Sequence, residues 1–301
     1  MPFSCSCKPL LNGDCCMTLS GLTMCKLAIV YSCVCKNNSH DGVADSPASQ
    51  ARHYKSLQAL WRKPNANKES VTQLLDLEFE ARRAFIDSDV VKQDERHVKI
   101  MEAYPCFREI EHLMDELRRI LQRDNMDFIS EVKERWVEFC KQVQFYGVFK
   151  KVLKSPVGMS KAEQAIELMH ALPAMFPSAS PPPKKMRDAS EAFIHVLKEK
   201  EDPESFLKKR HLSCPLLLVS ATNCILAVGD NPIAEFHNDD LHEGMLYIIA
   251  LYYALHLTYP KCVSTLLSII QSEVLGDALH PQDQTSSFKK GLSEMRAFVG
   301  N

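Results

Sequence analysis

Apolar side chains recur at three- and four-residue steps through much of the chain, the spacing that places them on one face of an α-helix. Leu57, Leu60 and Trp61 form the first such anchor, and ordered structure is expected from about Ser56. From there Leu74, Leu77, Ala81, Ala84 and Phe85 predict a common helical face, with Ser70-Val71-Thr72-Gln73 spaced as a capping box. A helix over 91–103 is expected to stop before Pro105, because proline disfavours a helical residue ahead of it. Pro105 suits the first turn of the next helix. Its stripe is Phe107, Ile110, Leu113, Met114, Leu117, Ile120 and Leu121, with Glu109, Glu111, Asp115, Glu116, Arg118 and Arg119 on the other faces. Ile129, Val132, Trp136, Phe139 and Val143 predict a helix over 127–143. Ser160-Lys161-Ala162-Glu163 is a second capping box, opening a helix that ends at Pro173.

The pattern changes after the proline run PSASPPP at 177–183, which favours an extended polyproline II connector. A capped helix is expected over 188–200. A short one then follows through Phe206 to Lys209, with Asp202 as N-cap and Pro203 at the first helical position. Pro215–Ser220 and Cys224–Val228 are short apolar runs around Ala221-Thr222-Asn223, the signature of a β-hairpin. Gly229-Asp230-Asn231-Pro232 reads as a turn and Ile233–Phe236 as a third strand. Asp240 is expected to cap a helix whose stretch Met245–Leu257 has no formal charge, which predicts a buried central helix broken at Pro260. Val263, Leu266, Leu267, Ile270 and Val274 form the face of a helix ending near Gly276, and an amphipathic helix over Phe288–Val299 closes the chain.

These elements predict a mainly α protein of α+β type. A helical domain at 56–176 is joined by a proline-rich connector at 177–187 to an α+β domain at 188–301. In the second domain a small antiparallel meander near 215–236 is packed by C-terminal helices, with the buried helix near 241–258. Residues 1–55 read as an unstructured, cysteine-rich leader and linker. Within it Met17–Cys35 is apolar but interrupted by Lys26 and follows no basic cluster, so it fits neither a signal peptide nor a membrane span.

Composition narrows the function classes. The chain carries 36 basic and 38 acidic residues, a net charge of −2, so no field for nucleic acid or anionic lipid extends over the whole molecule. Seven of the twelve cysteines lie before residue 36: Cys5, Cys7, Cys15, Cys16, Cys25, Cys33 and Cys35. Their Cys-x-Cys and Cys-Cys spacings differ from those of structural zinc sites, and an odd count leaves no closed disulfide set. The other five, Cys106, Cys140, Cys214, Cys224 and Cys262, read as small buried hydrophobes of a reducing compartment, cytoplasmic or nuclear.

Four constellations merit weighing. His237, Asp239, Asp240, His242 and Glu243 form the densest group of possible metal ligands or acid–base residues. The plainer reading is a strand-to-helix turn, with Asp239 or Asp240 capping and Glu243 completing a box. Cys262, His256 and Glu273 can be drawn as a nucleophilic site, but no glycine elbow marks one. Cys214 and Cys224 can be drawn opposite each other on the hairpin, able to pair under oxidation but read as free thiols in a reducing compartment. Lys184-Lys185-Met186-Arg187 with Lys198, Lys200, Lys208, Lys209 and Arg210 is a local basic stretch for a nuclear-import signal or nucleic acid, diluted by Glu191, Glu199, Glu201, Asp202 and Glu204. No GxGxxG, Walker, His-Glu-x-x-His or Gly-x-Ser-x-Gly motif occurs, and no catalytic, cofactor-binding or metal-ligating residue is assigned.

Several segments resemble a known family: Phe139-Cys-Lys-Gln-Val-Gln-Phe-Tyr146, Pro182-Pro-Lys-Lys-Met-Arg187 with Ala189-Ser-Glu-Ala192, Leu216-Leu-Leu-Val219, and Tyr252-Tyr-Ala-Leu-His-Leu-Thr-Tyr-Pro-Lys261. They are similar to the region that follows the SAM domain in sterile alpha motif domain-containing protein 3-like vertebrate proteins. The resemblance covers roughly Ser56 to Phe298. It implies no catalytic residue, and a leader too short for a SAM module carries over no SAM-mediated oligomerisation. The expected function is that of a non-enzymatic scaffold with a protein partner. The alternatives are an enzyme using the His237–Glu243 turn and a nucleic-acid-associated protein using Lys184–Arg210.

Overall fold

In the computed structural model, residues 46–300 are described, with 89–92 and 211 excepted; the expectations for the cysteine-rich leader therefore lie outside the described residues. Helix α1 (Pro47–Trp61) begins well before the expected Ser56. Ser46 caps it by accepting the Ser49 amide, and Pro47 occupies the first turn. This helix fully buries only Leu57, so its polar start carries little apolar period.

Helix α2 (Lys68–Leu77) opens at Asn67 instead of Ser70: Asn67 Oδ1 accepts the Ser70 amide at 2.8 Å, and Ser70 lies within the first turn. A break at Glu78 separates α2 from α3 (Phe79–Asp87). The face predicted from Leu74, Leu77, Ala81, Ala84 and Phe85 is not the one that enters the core. Val71, Leu75, Glu78, Arg82, Arg83 and Ile86 are buried, whereas Leu77 and Phe85 are exposed. Charges paired inside the protein override the apolar pattern here.

Helix α4 (Gln93–Ala103) stops before Pro105 as expected. A 3-10 turn over Pro105–Arg108 leads into α5 (Ile110–Leu121). Of the α5 stripe Leu113, Met114 and Leu117 are buried and Ile110, Ile120 and Leu121 half-buried, but Glu116, Arg118 and Arg119, on faces expected to meet solvent, are buried too, as is His112. Helices α2 and α3 account for the charged groups, since Glu116 meets Arg82 and both Arg118 and Arg119 reach Asp76, while α9 also packs along α5.

Helix α6 (Phe128–Phe149) runs past Val143 and buries Val132, Trp136, Phe139 and Val143. In α7 (Lys161–Met175) the predicted capping box is formed: Ser160 Oγ accepts the Glu163 amide at 3.3 Å, and Glu163 Oε2 accepts the Ser160 amide at 2.8 Å. Pro173 lies within the last turn of α7 instead of ending it. The two helices approach closely at Gly147, where a Cβ would stand 2.3 Å from Met175 Cε.

Asp188 caps as expected, yet only a 3-10 turn over Ala189–Ala192 follows, and strand β1 (Ile194–Val196) replaces the rest of the helix predicted over 188–200. Pairing with a distant strand decides this. The Phe193 carbonyl accepts the Leu217 amide and the Val219 carbonyl accepts the Leu197 amide, both at 2.8 Å. Helix α8 (Pro203–Lys209) has the predicted cap, Asp202 Oδ2 accepting the Ser205 amide at 2.8 Å. Strands β2 (Pro215–Val219), β3 (Asn223–Val228) and β4 (Asn231–His237) form the predicted meander. The sheet order is β1-β2-β3-β4, with β1 parallel to β2 and the other pairs antiparallel.

Side chains alternate between the two faces of the sheet. Leu216, Leu218, Ile225 and Ala227 pack with Leu207 of α8. Leu217, Val219, Cys224, Leu226 and Val228 join the main core with α9 (Gly244–Ala254). Every residue of α9 is buried, as its uniformly apolar sequence predicts. A 3-10 turn over Asn238–Glu243 precedes α9, so Asp240 does not cap it, and α9 ends at Ala254, ahead of Pro260. Helix α10 (Ser264–Ile270) continues into a π turn over Gln271–Leu275 and stops at Gly276, where φ is 71°. Helix α11 (Ser286–Val299) closes the chain as predicted.

The protein is thus mainly helical with a small mixed sheet. One cluster of buried side chains runs from Leu57 to Met295, so the proline connector does not interrupt the core. Phe176, just before the connector, stacks between Phe139 and Tyr146, and Ser178 within it accepts the Thr265 amide. Among the described residues no helix is long and apolar enough to cross a membrane.

Candidate interaction cleft

The end of β4 and the 3-10 turn after it carry the densest predicted cluster, and local hydrogen bonding accounts for its members. His237, at the cap position, accepts the Asp239 amide on Nδ1 at 3.3 Å, the role expected of an aspartate. His242 donates from Nδ1 to the Asp239 carbonyl at 3.0 Å. Glu243 is engaged on its other oxygen: Oε2 receives the Tyr247 hydroxyl and the Lys133 ammonium, each at 2.7 Å, while Oε1 lies 4.0 Å from His242 Nε2. Burial and the Glu243 carboxylate raise the Tyr247 hydroxyl well above its ordinary range. His237 and Asp239 stand largely in solvent, with 68% and 88% of their side chains exposed. No group of three or more His, Cys, Asp or Glu side chains is placed to hold a metal ion among the described residues.

Beside this turn α6 and α7 diverge, leaving a cleft of about 580 Å³. Trp136 and Cys140 from α6 form one wall, Ala165, Leu168 and Leu172 from α7 another, and Leu241 of the turn contributes to the lining. Polar groups ring the opening: Gln144 and Lys161 on the helices, Asp239 and His242 on the turn. The helical period of α6 and α7 sets these walls, since 136 and 140, and 165, 168 and 172, recur every three or four residues. The Trp136 indole N–H donates to the His242 carbonyl at 2.6 Å and locks the turn against α6. Burial pushes the Cys140 thiol up to about 12, so at neutral pH it is protonated and a poor nucleophile. An apolar trough with a polar rim suits a side chain presented by another polypeptide.

The other sequence constellations are dispersed. His256 engages Asp87 at 2.5 Å, Glu273 engages Arg296 at 2.7 Å, and burial raises the Cys262 thiol, so the three do not form a relay. In the hairpin Val219 stands opposite Cys224 and Val228 opposite Pro215, which puts Cys214 and Cys224 at opposite ends and not face to face. Of the basic stretch, Arg210 is taken up structurally by the carbonyls of Ala192 and Cys214, and Lys208 pairs with Glu204.

Sequence reasoning missed a buried charge network. Arg82 is fully buried, bonded to Glu78 at 2.7 Å and to Glu116 at 2.8 and 3.0 Å, beneath the rings of Phe79, Tyr104 and Phe107. Arg119 extends it to Asp76 at 2.6 Å and to Asp115. Burial raises the Glu78 carboxyl against the pull of Arg82 and its bond from Tyr104. Burial also opposes ionisation of Glu116, but Arg82 and Arg119 together hold it below its ordinary value. The signal for it in the sequence is four charges, at 78, 82, 116 and 119, on helix faces otherwise continuous with the core. Protein-family models, curated proteins and solved structures compared with the chain include none that matches it.

Proposed function

We propose that the chain is a non-enzymatic protein-interaction module that receives an apolar side chain of a protein partner in the cleft between α6, α7 and the Asn238–Glu243 turn. The observation that carries the reading is the character of this cleft: apolar walls, a polar rim, and a His242 ring already bonded to the Asp239 carbonyl. The resemblance to the region after the SAM domain of sterile alpha motif domain-containing protein 3-like proteins is in keeping with a scaffold role. Five free cysteines among the described residues accord with a reducing compartment, cytoplasm or nucleus. Nucleic acid is the less suited partner, because Glu191, Glu199, Glu201, Asp202 and Glu204 lie among the bases of that stretch, Glu204 pairs with Lys208, and backbone carbonyls take up Arg210.

Placing a long charged side chain in the trough tests the reading. Ala165→Arg is expected to abolish capture of a stoichiometric protein partner from cells while leaving the thermal midpoint within a few degrees. Retention of every stoichiometric partner by the folded variant would sink the proposal, as would a small metabolite that copurifies and is lost with His242→Ala.

A further inference from the structure

At the C-terminal end of α6 the apolar period no longer faces the core. Phe145 is 70% exposed and Phe149 68%, with Val148 and Val152 also open to solvent. The Phe149 ring is held in place: it packs on Phe298 at 5.1 Å, and Phe298 packs on Tyr146 at 5.5 Å. The helix closes in a tight turn at Lys151, whose φ of 59° lies in the left-handed region usually left to glycine or asparagine. The amides of Val152 and Leu153 both bond back to the Gly147 carbonyl, at 3.0 and 3.1 Å.

The segment that carries these rings and the turn after them bears charge of one sign. Between Gln142 and Ala162 the chain has four lysines and no aspartate or glutamate. Lys150 is satisfied by Glu294 at 3.1 Å. Lys151 and Lys154 are exposed and have no carboxylate partner among the described residues. On the packed neighbour α11, Glu294 is shared between Lys150 and Lys290, so it does not offset them.

We infer that Phe145 and Phe149, flanked by Lys151 and Lys154, form a docking surface for the anionic face of a lipid bilayer. Aromatic rings standing two-thirds clear of the surface suit a fluid interface, which needs no matching cavity, and unpaired ammonium groups beside them suit lipid phosphates and carboxylates. The surface lies outside the α6–α7 cleft and does not depend on the function proposed for it. No span is required, since the rings enter only the headgroup boundary.

The test is flotation of the purified full-length chain with phosphatidylcholine vesicles, with and without phosphatidylserine. Binding is expected only with phosphatidylserine, and it weakens as salt is raised. Phe145→Ser with Phe149→Ser, and separately Lys151→Glu with Lys154→Glu, are each expected to lower binding about tenfold or more while leaving the thermal midpoint unchanged. Failure to bind phosphatidylserine vesicles would overturn the inference. So would binding that both double variants retain, which would place it elsewhere in the chain. A concentration-dependent dimer, or a protein partner, lost with Phe149→Ser in the absence of vesicle binding would assign the surface to protein association instead.

Discussion

Arg82 shows how much can turn on one side chain. It is enclosed by two carboxylates, three aromatic rings and the Leu75 carbonyl, with no exposure to solvent. Buried pairs of this kind add little over well-packed apolar residues, but removing one partner strands the other. Glu116→Ala is therefore expected to cost about 3–5 kcal/mol, read from the urea midpoint. The two glutamates also give opposite pH slopes. The Glu116 carboxyl titrates below the unfolded value of about 4.3, so its stabilisation is present above that value and lost as pH falls through the folded one. The Glu78 carboxyl titrates above its unfolded value, so its contribution is full in acid and declines as pH rises through the folded one. Across a pH series of denaturation curves, Glu116→Gln should rise less steeply from acid to neutral than the parent, and Glu78→Gln more steeply. Equal slopes for all three would refute the assignment.

Elements differ in how locally they are specified. Helix α7 has a reciprocal cap formed entirely within Ser160–Glu163. Ser160→Ala should cost about 1 kcal/mol, measured as a shift in the thermal midpoint, because it leaves the Glu163 amide without its side-chain acceptor. The meander, α8 and α11 were legible for the same reason: their turn residues and caps lie within a few positions of the strands and helices they bound. Strand β1 was not. Ile194 and Val196 suit either state, and only pairing with Leu217 and Val219 settles it. The cleft was half legible. Asp239 and His242 stood out as polar residues in a cluster, whereas Trp136 read as an ordinary member of a core stripe and Leu168 and Leu172 carried no signal of their own.

At the scale of the whole molecule the feature that matters is the shared core. Helix α5, before the proline connector, packs along α9, after it, and Arg83 of α3 donates to the Ala254 carbonyl at the end of α9 at 3.1 Å. Each half alone would expose one side of that contact. Separate fragments spanning 46–180 and 181–300 should therefore show no cooperative thermal transition, and mixing them should restore one. Independent cooperative unfolding of either fragment would favour the two-domain division drawn from the proline run.

What the amino-acid order alone determined is whatever depends on neighbours a few residues apart: most helices, the caps at Ser160, Asp188 and Asp202, the hairpin and the all-apolar α9. Only the tertiary structure decided which face α2 and α3 bury, the strand β1, the burial of Glu116, Arg118 and Arg119 on α5, and the cleft. The physical reason is the range of the forces involved. A cap closes over three residues, whereas the bond from Arg82 to Glu116 spans 34 positions and is worth forming only where the fold has already removed both groups from water.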